Sequence, residues 1–205
     1  MDKDMKYGSE FKYIPATSIR SGDGIEVVHD LYMHTIQIVN IVLYGDQLRI
    51  GFILIDAGMP NSANEIISVA EKRFGSNCRP KAIILTHGHF DHVGAIIELI
   101  EHRDVPVYAH SSELPYLTGL KNYPKPDPTV DGGFVAKMSS FFPNEAINLG
   151  SYVKELPLNG IVPYMDGFRW LHTPGHTPGH ISLFRNDDGT LIVGDAFVTV
   201  KQESL

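Results

Sequence analysis

The sequence predicts a layered α/β fold, because short runs of β-branched residues alternate with stretches whose apolar residues recur at helical spacing. This alternation favours layers of strands and helices over a helical bundle or an all-β sandwich. With 205 residues the chain has the length of one domain, and its 43% of hydrophobic residues can fill a core. We therefore expect a single domain over residues 1–205, and the composition excludes a low-complexity protein.

The individual elements follow from periodicity and from turn residues. The expected order is strands within residues 25–55, a helix over 61–74, a strand over 81–86, a helix over 93–102, a strand over 105–109, and strands over 168–172, 181–185 and 190–194. Asn61 or Ser62 can cap the first helix, and Gly75 can end it. Residues 121–133 are rich in proline and glycine, which predicts a long surface loop.

Charge and cysteine content limit the partners. The chain has 17 Lys and Arg against 24 Asp and Glu, a formal net charge of -7, which disfavours nucleic acid and anionic membranes as partners. Cys78 is the single cysteine, which excludes an intrachain disulfide and a cysteine-rich zinc cage. Met1–Glu10 is polar and lacks the features of a secretion signal. We expect a cytoplasmic protein that acts on a small molecule and binds neither nucleic acid nor membrane.

Four polar side chains each follow an apolar strand at the point where that strand ends. They are Asp56, His87, His176 and Asp195. Strand ends that lie side by side at one edge of a sheet bring residues distant in sequence together, and rigid strands hold them in place. The pattern therefore predicts one site at that edge.

The strongest motif is Thr-His-Gly-His-Phe-Asp-His, which spans Thr86–His92. For this composition, such a match arises by chance on the order of once in a thousand sequences. Gly88 permits a tight turn, so His87 and His89 can point at one metal ion while Asp91 and His92 point at a neighbouring one. The alternative is a helix start that Asp91 caps, in which the histidines form only hydrogen bonds.

A second motif lies at residues 172–180, where proline and glycine stand on both sides of His176. This composition predicts a constrained turn, which can hold a metal ligand well, although a solvated histidine on a Pro-Gly turn is an alternative. His172 and His180 flank the turn, and we favour a structural role for both over one in orienting a ligand. His176 and Asp195 would supply the histidine and the bridging carboxylate that a pair of divalent ions needs.

At these residues the chain resembles the metallo-β-lactamase superfamily, particularly its glyoxalase II-like and lactonase-like metallohydrolases, over roughly residues 36–197. The resemblance implies a four-layer αββα sandwich. It also implies that one metal is held by His87, His89 and His176, a second by Asp91 and His92, with Asp195 bridging both. In that family the aspartate at the position of Asp56 is structural or supports a ligand.

The resemblance implies zinc as cofactor, with two ions in the complete protein and with iron or manganese as alternatives. Water bound between two such ions has its pKa brought toward about 7, and it then attacks at neutral pH. Asp91 would be the catalytic residue that accepts or relays the proton. Hydrolysis of an ester, thioester or lactone is the expected reaction.

The sequence departs from the family pattern after Asp195. Family members continue and supply a final histidine to the second metal, whereas residues 196–205 contain none. We therefore expect a chain truncated at its C-terminus, with the second half of the sandwich incomplete and the usual last strand and helix absent. The apolar surface and strand edges left uncovered would favour a homo-oligomer.

Two other functions stay open at this point. A single iron held by His87, His89 and His176 would support oxygen-dependent or redox chemistry, as it does in some members of the family. A chain without the last ligand would be a metal-binding module of weak catalytic activity, with the first site intact and little turnover. Metal content and turnover distinguish these from a two-metal hydrolase.

Overall fold

The computed structural model describes residues 4–46, 51–127, 129 and 139–197. Its larger sheet has seven strands, adjacent in chain order: β1 (Gly24–Val28), β2 (Leu31–Ile36), β3 (Val39–Tyr44), β4 (Phe52–Ile55), β5 (Pro80–Ile84), β6 (Val107–Ala109) and β7 (Val153–Glu155). The smaller sheet is formed by β8 (Phe168–His172), β9 (Ile181–Arg185) and β10 (Leu191–Ile192), with β9 in the middle.

Three α-helices and three short 3-10 helices complete the described structure. The α-helices are α1 (Ala63–Phe74), α2 (Ile96–Arg103) and α3 (Leu114–Leu117). The 3-10 helices are Ser111–Glu113, Ser139–Phe141 and Gly150–Tyr152. No helix in the described ranges is long and apolar enough to cross a membrane.

The pairing changes direction in the middle of the larger sheet. Strands β1 to β4 pair antiparallel, whereas β4, β5, β6 and β7 pair parallel. In the parallel half, β4 and β5 therefore end at the same edge of the sheet, and so do the loops that follow them. Those loops begin with Asp56 and with the histidine motif.

Two apolar cores give the molecule its layers. The first lies between the larger sheet and the helices, and contains Leu54 and Ile83 from the strands with Ile66 and Leu99 from the helices. The second lies between the two sheets and packs side chains such as Ile55 and Ile84 against β8 and β9. The α/β sandwich is therefore confirmed, and its described part has the order helix, sheet, sheet, with the second sheet the smaller half.

The expected elements are confirmed, although several ends shift and the expected cap of α1 is wrong. Helix α1 begins at Ala63 rather than at residue 61, β6 begins at Val107 rather than at residue 105, and β10 spans only Leu191–Ile192. Helix α2 begins at Ile96 rather than at residue 93, because Gly94 is held in a turn: its N–H donates to Gly58 O over 2.7 Å, and a Cβ on it would lie 2.2 Å from the carbonyl carbon of Met59. Ser62 precedes α1, but its hydroxyl donates to Met59 O and caps no helical N–H.

The sequence does not predict strand β7 or helix α3, because each is too short to show a periodic pattern of apolar residues. Residues 121–127 and 129 form no helix or strand, in agreement with the expected loop, and the rest of that loop lies outside the described residues. Whether residues 1–205 form one domain, and whether the chain is truncated, stay predictions.

A buried ion pair joins the two sheets. Arg185 on β9 donates to both oxygens of Asp30, in the turn between β1 and β2, over 2.6 and 3.1 Å. It also donates to Asp188, over 3.0 and 2.6 Å. Because Asp30 and Arg185 are both buried, either one left without the other would be a poorly solvated charge.

We predict that Arg185→Leu lowers the free energy of unfolding by about 3 kcal/mol, because it leaves the Asp30 carboxylate buried without a partner. Urea denaturation measures this change. The matched control is Glu71→Gln, which breaks the more exposed 3.7 Å pair with Arg103 and is expected to cost less than about 0.5 kcal/mol. Equal effects of the two substitutions would show that the Asp30 pair does not hold the sheets together.

Candidate metal centre

The candidate site lies where strands of both sheets end. His87 and His89 follow β5, Asp56 follows β4, His176 lies between β8 and β9, and Asp195 follows β10. A backbone hydrogen bond of 3.0 Å from the N–H of Ile181 to Thr86 O ties the sheets together beside the site. The expected convergence of these strand ends is confirmed.

A first cluster contains His87, His89 and His176, one ring nitrogen from each lying within 4.8 Å of the others. Nδ1 of His89 and Nε2 of His176 are 2.9 Å apart. His87 is fully buried and His176 is exposed, so the cluster lies at the end of a path from solvent. These are the three residues that the sequence assigned to one ion.

A second cluster contains His87, His92 and Asp195, again with ligand atoms within 4.8 Å of one another. The two oxygens of Asp195 face different histidines: Oδ1 lies 3.5 Å from Nε2 of His92, and Oδ2 lies 3.5 Å from Nε2 of His176. The carboxylate thus lies between a histidine of the first cluster and one of the second. This is the placement that a bridging ligand needs.

The Asp56 carboxylate orients two of the imidazoles. Its Oδ1 accepts from the backbone N–H of Thr86 over 2.8 Å, while its Oδ2 accepts from the Thr86 hydroxyl over 2.8 Å and from Nδ1 of His92 over 2.9 Å. With its own hydrogen committed to Asp56, the Thr86 hydroxyl accepts from Nδ1 of His87 over 3.1 Å. Both rings therefore turn Nε2 toward the clusters, as expected for a supporting aspartate.

The donor atoms fit a divalent metal. Nε2 of His87 and Nε2 of His92 are buried and have no hydrogen-bond partner among the described residues. Buried polar atoms without partners are rare and costly, and an ion is one of the few groups that satisfies them. Imidazole nitrogen with carboxylate oxygen is a donor set that zinc and iron accept.

Burial keeps two rings of the first cluster neutral, those of His87 and His89. Burial, followed by the charge of His92, lowers the pKa of His87 well below its usual value. Burial and His176 lower the pKa of His89 to about 3. Both rings are therefore unprotonated at pH 7, with lone pairs available to a metal.

The second cluster carries charge. Burial opposes protonation of His92, but the carboxylates of Asp56 and Asp91 outweigh it and raise the pKa of His92 well above its usual value. Burial likewise favours the neutral form of Asp195, but the nearby His92 lowers the pKa of Asp195. A metal that takes Nε2 of His92 must therefore displace a proton.

Asp91 is not among the ligand atoms of either cluster. It also lies outside α2, whose N-cap is Ala95, so the alternative in which Asp91 caps that helix is wrong. Burial raises the pKa of Asp91, with His92 and Asp195 acting on it in opposite directions. Its assignments as metal ligand and as catalytic residue stay predictions.

The histidines beside the Pro-Gly turn have different contacts. His180 is fully buried, pairs through Nδ1 with the Thr173 hydroxyl over 2.9 Å, and accepts at Nε2 from the backbone N–H of Asp195 over 2.9 Å. It therefore positions the Asp195 backbone and has no nitrogen left for a metal. His172 donates from Nε2 to Pro178 O over 2.9 Å and stacks on His110 with ring centroids 4.2 Å apart.

Two contributors were missed by the sequence analysis. The Thr86 hydroxyl links His87 to Asp56 through hydrogen bonds, and Glu113 accepts hydrogen bonds from both histidine-bearing loops. Glu113 is the last residue of a short Ser-Ser-Glu 3-10 helix with no distinctive pattern, so the sequence holds no signal for it. Thr86 is the first residue of the motif, and its position directly before His87 could have suggested a supporting role.

Clustered histidines and a carboxylate at the strand ends of a two-sheet α/β sandwich define a metal-centre protein of the metallohydrolase type. The chain belongs to the metallo-beta-lactamase superfamily, whose family model matches residues 36–205. The resemblance in the sequence is thereby confirmed.

Relatives with curated descriptions agree with this assignment. The chain is 53% identical over 196 residues to a probable metallo-hydrolase of Bacillus subtilis, YflN, covering 94% of this chain and 74% of the relative. It is 30% identical over 117 residues to a hydroxyacylglutathione hydrolase of Haemophilus influenzae, GloC, covering 56% of this chain and 49% of the relative. The chain thus spans about half the length of GloC and three quarters of YflN.

Solved structures share the fold at low identity. A subclass B3 metallo-beta-lactamase from a soil metagenome library superimposes with a TM-score of 0.59 at 23% identity, covering 83% of this chain and 61% of the other. The subclass B3 enzyme of Bradyrhizobium japonicum gives a TM-score of 0.60 at 22% identity, covering 83% and 58%. At this identity the likeness shows the fold alone.

We predict that zinc stabilises the metal-free protein, because an ion bound to the folded clusters has no equivalent site in the unfolded chain. At a free zinc concentration 100 times the dissociation constant, the gain is about 2.7 kcal/mol. A thermal melt with and without zinc chloride measures it. His87→Ala should abolish the gain, whereas His29→Ala, a matched change at an exposed histidine, should retain it. An equal gain in the His87 variant would place zinc elsewhere.

Proposed function

We propose that this protein is a metal-dependent hydrolase that cleaves an ester, thioester or lactone bond in a small molecule. One observation carries the proposal: the Asp195 carboxylate lies between two histidine clusters, with one oxygen 3.5 Å from a ligand nitrogen of each. A carboxylate whose two oxygens face different ligand histidines suits a site with two metal ions. The family membership of the chain supports the same reaction class.

Zinc is the proposed cofactor, with two ions in the complete protein. His87, His89 and His176 would hold one ion, Asp91 and His92 the other, and Asp195 both. When bound, zinc supplies a Lewis acid and lowers the pKa of a bound water to about 7, so that hydroxide is available at neutral pH. The neutral rings of His87 and His89 suit such a cation because no proton has to leave them.

The chain's own residues would orient the ligands and move the proton. Asp56 and Thr86 fix the rings of His87 and His92, and His180 fixes the backbone of Asp195. Asp91 is the proposed acceptor of the proton from the attacking water, which it would pass to the leaving group.

The substrate class is proposed from the chemistry of the site and from the relatives. A Lewis acid held beside a carboxylate would suit the hydrolysis of a carbonyl compound. A hydroxyacylglutathione is a thioester, so the likeness to GloC, a hydroxyacylglutathione hydrolase, supports a thioester as the first candidate. The expected cytoplasmic location and homo-oligomer stay predictions.

We predict that zinc-loaded protein hydrolyses at least one member of a panel of thioesters, lactones and aryl esters, and that His89→Ala lowers kcat/KM at least about 100-fold. This loss corresponds to the several kcal/mol that a metal contributes to the transition state. The matched control is His102→Ala, at an exposed position near the end of α2, which should act as wild type.

Metal analysis of the same samples separates the alternatives. Two equivalents of zinc with turnover support the proposal. One equivalent of iron with oxygen consumption would replace it with redox chemistry. One tightly bound metal without hydrolysis of any panel member would leave the chain a metal-binding module.

We predict separately that Asp91→Asn lowers kcat by about 100-fold or more, because the amide cannot accept the proton. Steady-state kinetics on the best panel substrate measure the change, with zinc content determined on the same preparation. A variant that keeps both full zinc content and wild-type kcat would remove Asp91 from the mechanism.

A further inference from the structure

The two loops that carry the first cluster come from different sheets. His87 and His89 lie on the loop after β5, and His176 lies on the loop between β8 and β9. One side chain contacts both loops, that of Glu113, which is fully buried at the end of a 3-10 helix. Glu113 belongs to neither ligand cluster.

Each carboxylate oxygen of Glu113 serves one loop. Oε2 accepts from the backbone N–H of Gly88, the residue between the two histidines, over 3.0 Å. Oε1 accepts from the Thr177 hydroxyl and from the backbone N–H of Gly179, each over 2.8 Å. The Glu113 carboxylate thus connects the turn between His87 and His89 to the residues that follow His176.

A fourth group completes the network. The Tyr123 hydroxyl also donates to Oε2 of Glu113, and it accepts from the N–H of Gly88 over 3.1 Å. The ring of Tyr123 packs edge-on against His89, with centroids 4.6 Å apart. Every acceptor position that faces the loops is therefore occupied by a donor from one of them or from Tyr123.

Glycine at positions 88 and 179 allows both loops to lie close to Glu113 and Tyr123. A Cβ on Gly88 would lie 2.6 Å from the Tyr123 hydroxyl, and a Cβ on Gly179 would lie 2.7 Å from Cγ of Glu113. Real Cβ atoms do not approach other atoms so closely, so both turns must lack a side chain where they meet the carboxylate. The two motif glycines thus have a second use, besides the turns that they permit.

We infer that Glu113 is a positioning residue that joins the two ligand loops, holding His176 in register with His87 and His89 before a metal binds. The inference rests on the proposed function, since it concerns the metal site of that reaction. A carboxylate suits this position because it offers acceptors on two sides and no hydrogen, whereas each loop presents donors. Groups that orient ligands without touching the metal typically change metal affinity about 10–100-fold when removed.

The test is Glu113→Gln, which keeps the size and shape of the side chain. Whichever way the amide is turned, its NH₂ group faces a backbone N–H, of Gly88 or of Gly179, and the hydrogen bond to that loop is lost. We expect zinc affinity, measured by competition with a chromogenic chelator, to fall about 10–100-fold. The visible spectrum of the cobalt-substituted variant should also change, because His176 no longer sits in the geometry of the wild-type site.

The matched control is Glu145→Gln. Glu145 also accepts a backbone N–H and a hydroxyl, those of Glu10 and Ser9, over 2.6 and 2.8 Å, but it holds the N-terminal segment and contacts neither loop. This control should lower stability without altering zinc affinity or the cobalt spectrum. The same affinity and spectrum in Glu113→Gln as in wild type would overturn the inference and leave Glu113 with a structural role only.

A second variant decides the question if Glu113→Gln does not fold. Thr177→Val keeps the side-chain shape and removes one donor to Oε1, while Gly179 remains bonded. We expect zinc affinity to fall at least about threefold with a shifted cobalt spectrum, and unchanged values would overturn the inference. Wild-type protein that binds no zinc would instead contradict the proposed function itself, so the two failures are distinguishable.

Discussion

The hydrogen bonds that converge on the Asp56 carboxylate hold the metal centre together. Thr86 and His92 donate to it directly, and His87 is joined to it through the Thr86 hydroxyl. All of these groups are buried, so each bond is strong and its loss would leave a polar atom without water. Asp56 adopts a left-handed backbone with φ of 61°, which aspartate tolerates better than most residues. The turn after β4 thus sets the direction of two imidazoles in the loop after β5.

The site depends equally on the packing of one sheet against the other. The larger sheet supplies the motif histidines, whereas His176 and Asp195 come from loops of the smaller sheet. The apolar core between the sheets, the ion pair of Arg185 with Asp30, and the contact of Ile181 with Thr86 hold these two halves in register. Metal ligands tolerate only small displacements. The contacts that hold the two sheets together therefore also preserve the geometry of the metal site.

The histidines of the site differ in how readily they take up a proton. Burial makes the rings of His87 and His89 poor bases, whereas neighbouring carboxylates make His92 a strong one. Neutral imidazoles and ionised carboxylates together lower the cost of placing a divalent cation in a buried position, which neither could do alone. In addition, the buried Nε2 atoms of His87 and His92 have no hydrogen-bond partner among the described residues, so a cation could satisfy both.

The sequence alone predicts the α/β class, most of the strands and helices, and the five candidate ligand residues of the two clusters, because periodicity and dense motifs are local properties. It could not place the start of α2, where close packing of Gly94 on the turn after β4 overrides helical spacing. The place that it assigned to Asp91 among the ligands stays a prediction, and it missed the roles of Glu113 and Thr86. These were decided by tertiary structure, since the contacts of a side chain with loops far away in sequence depend on how two sheets pack, and no local pattern records that.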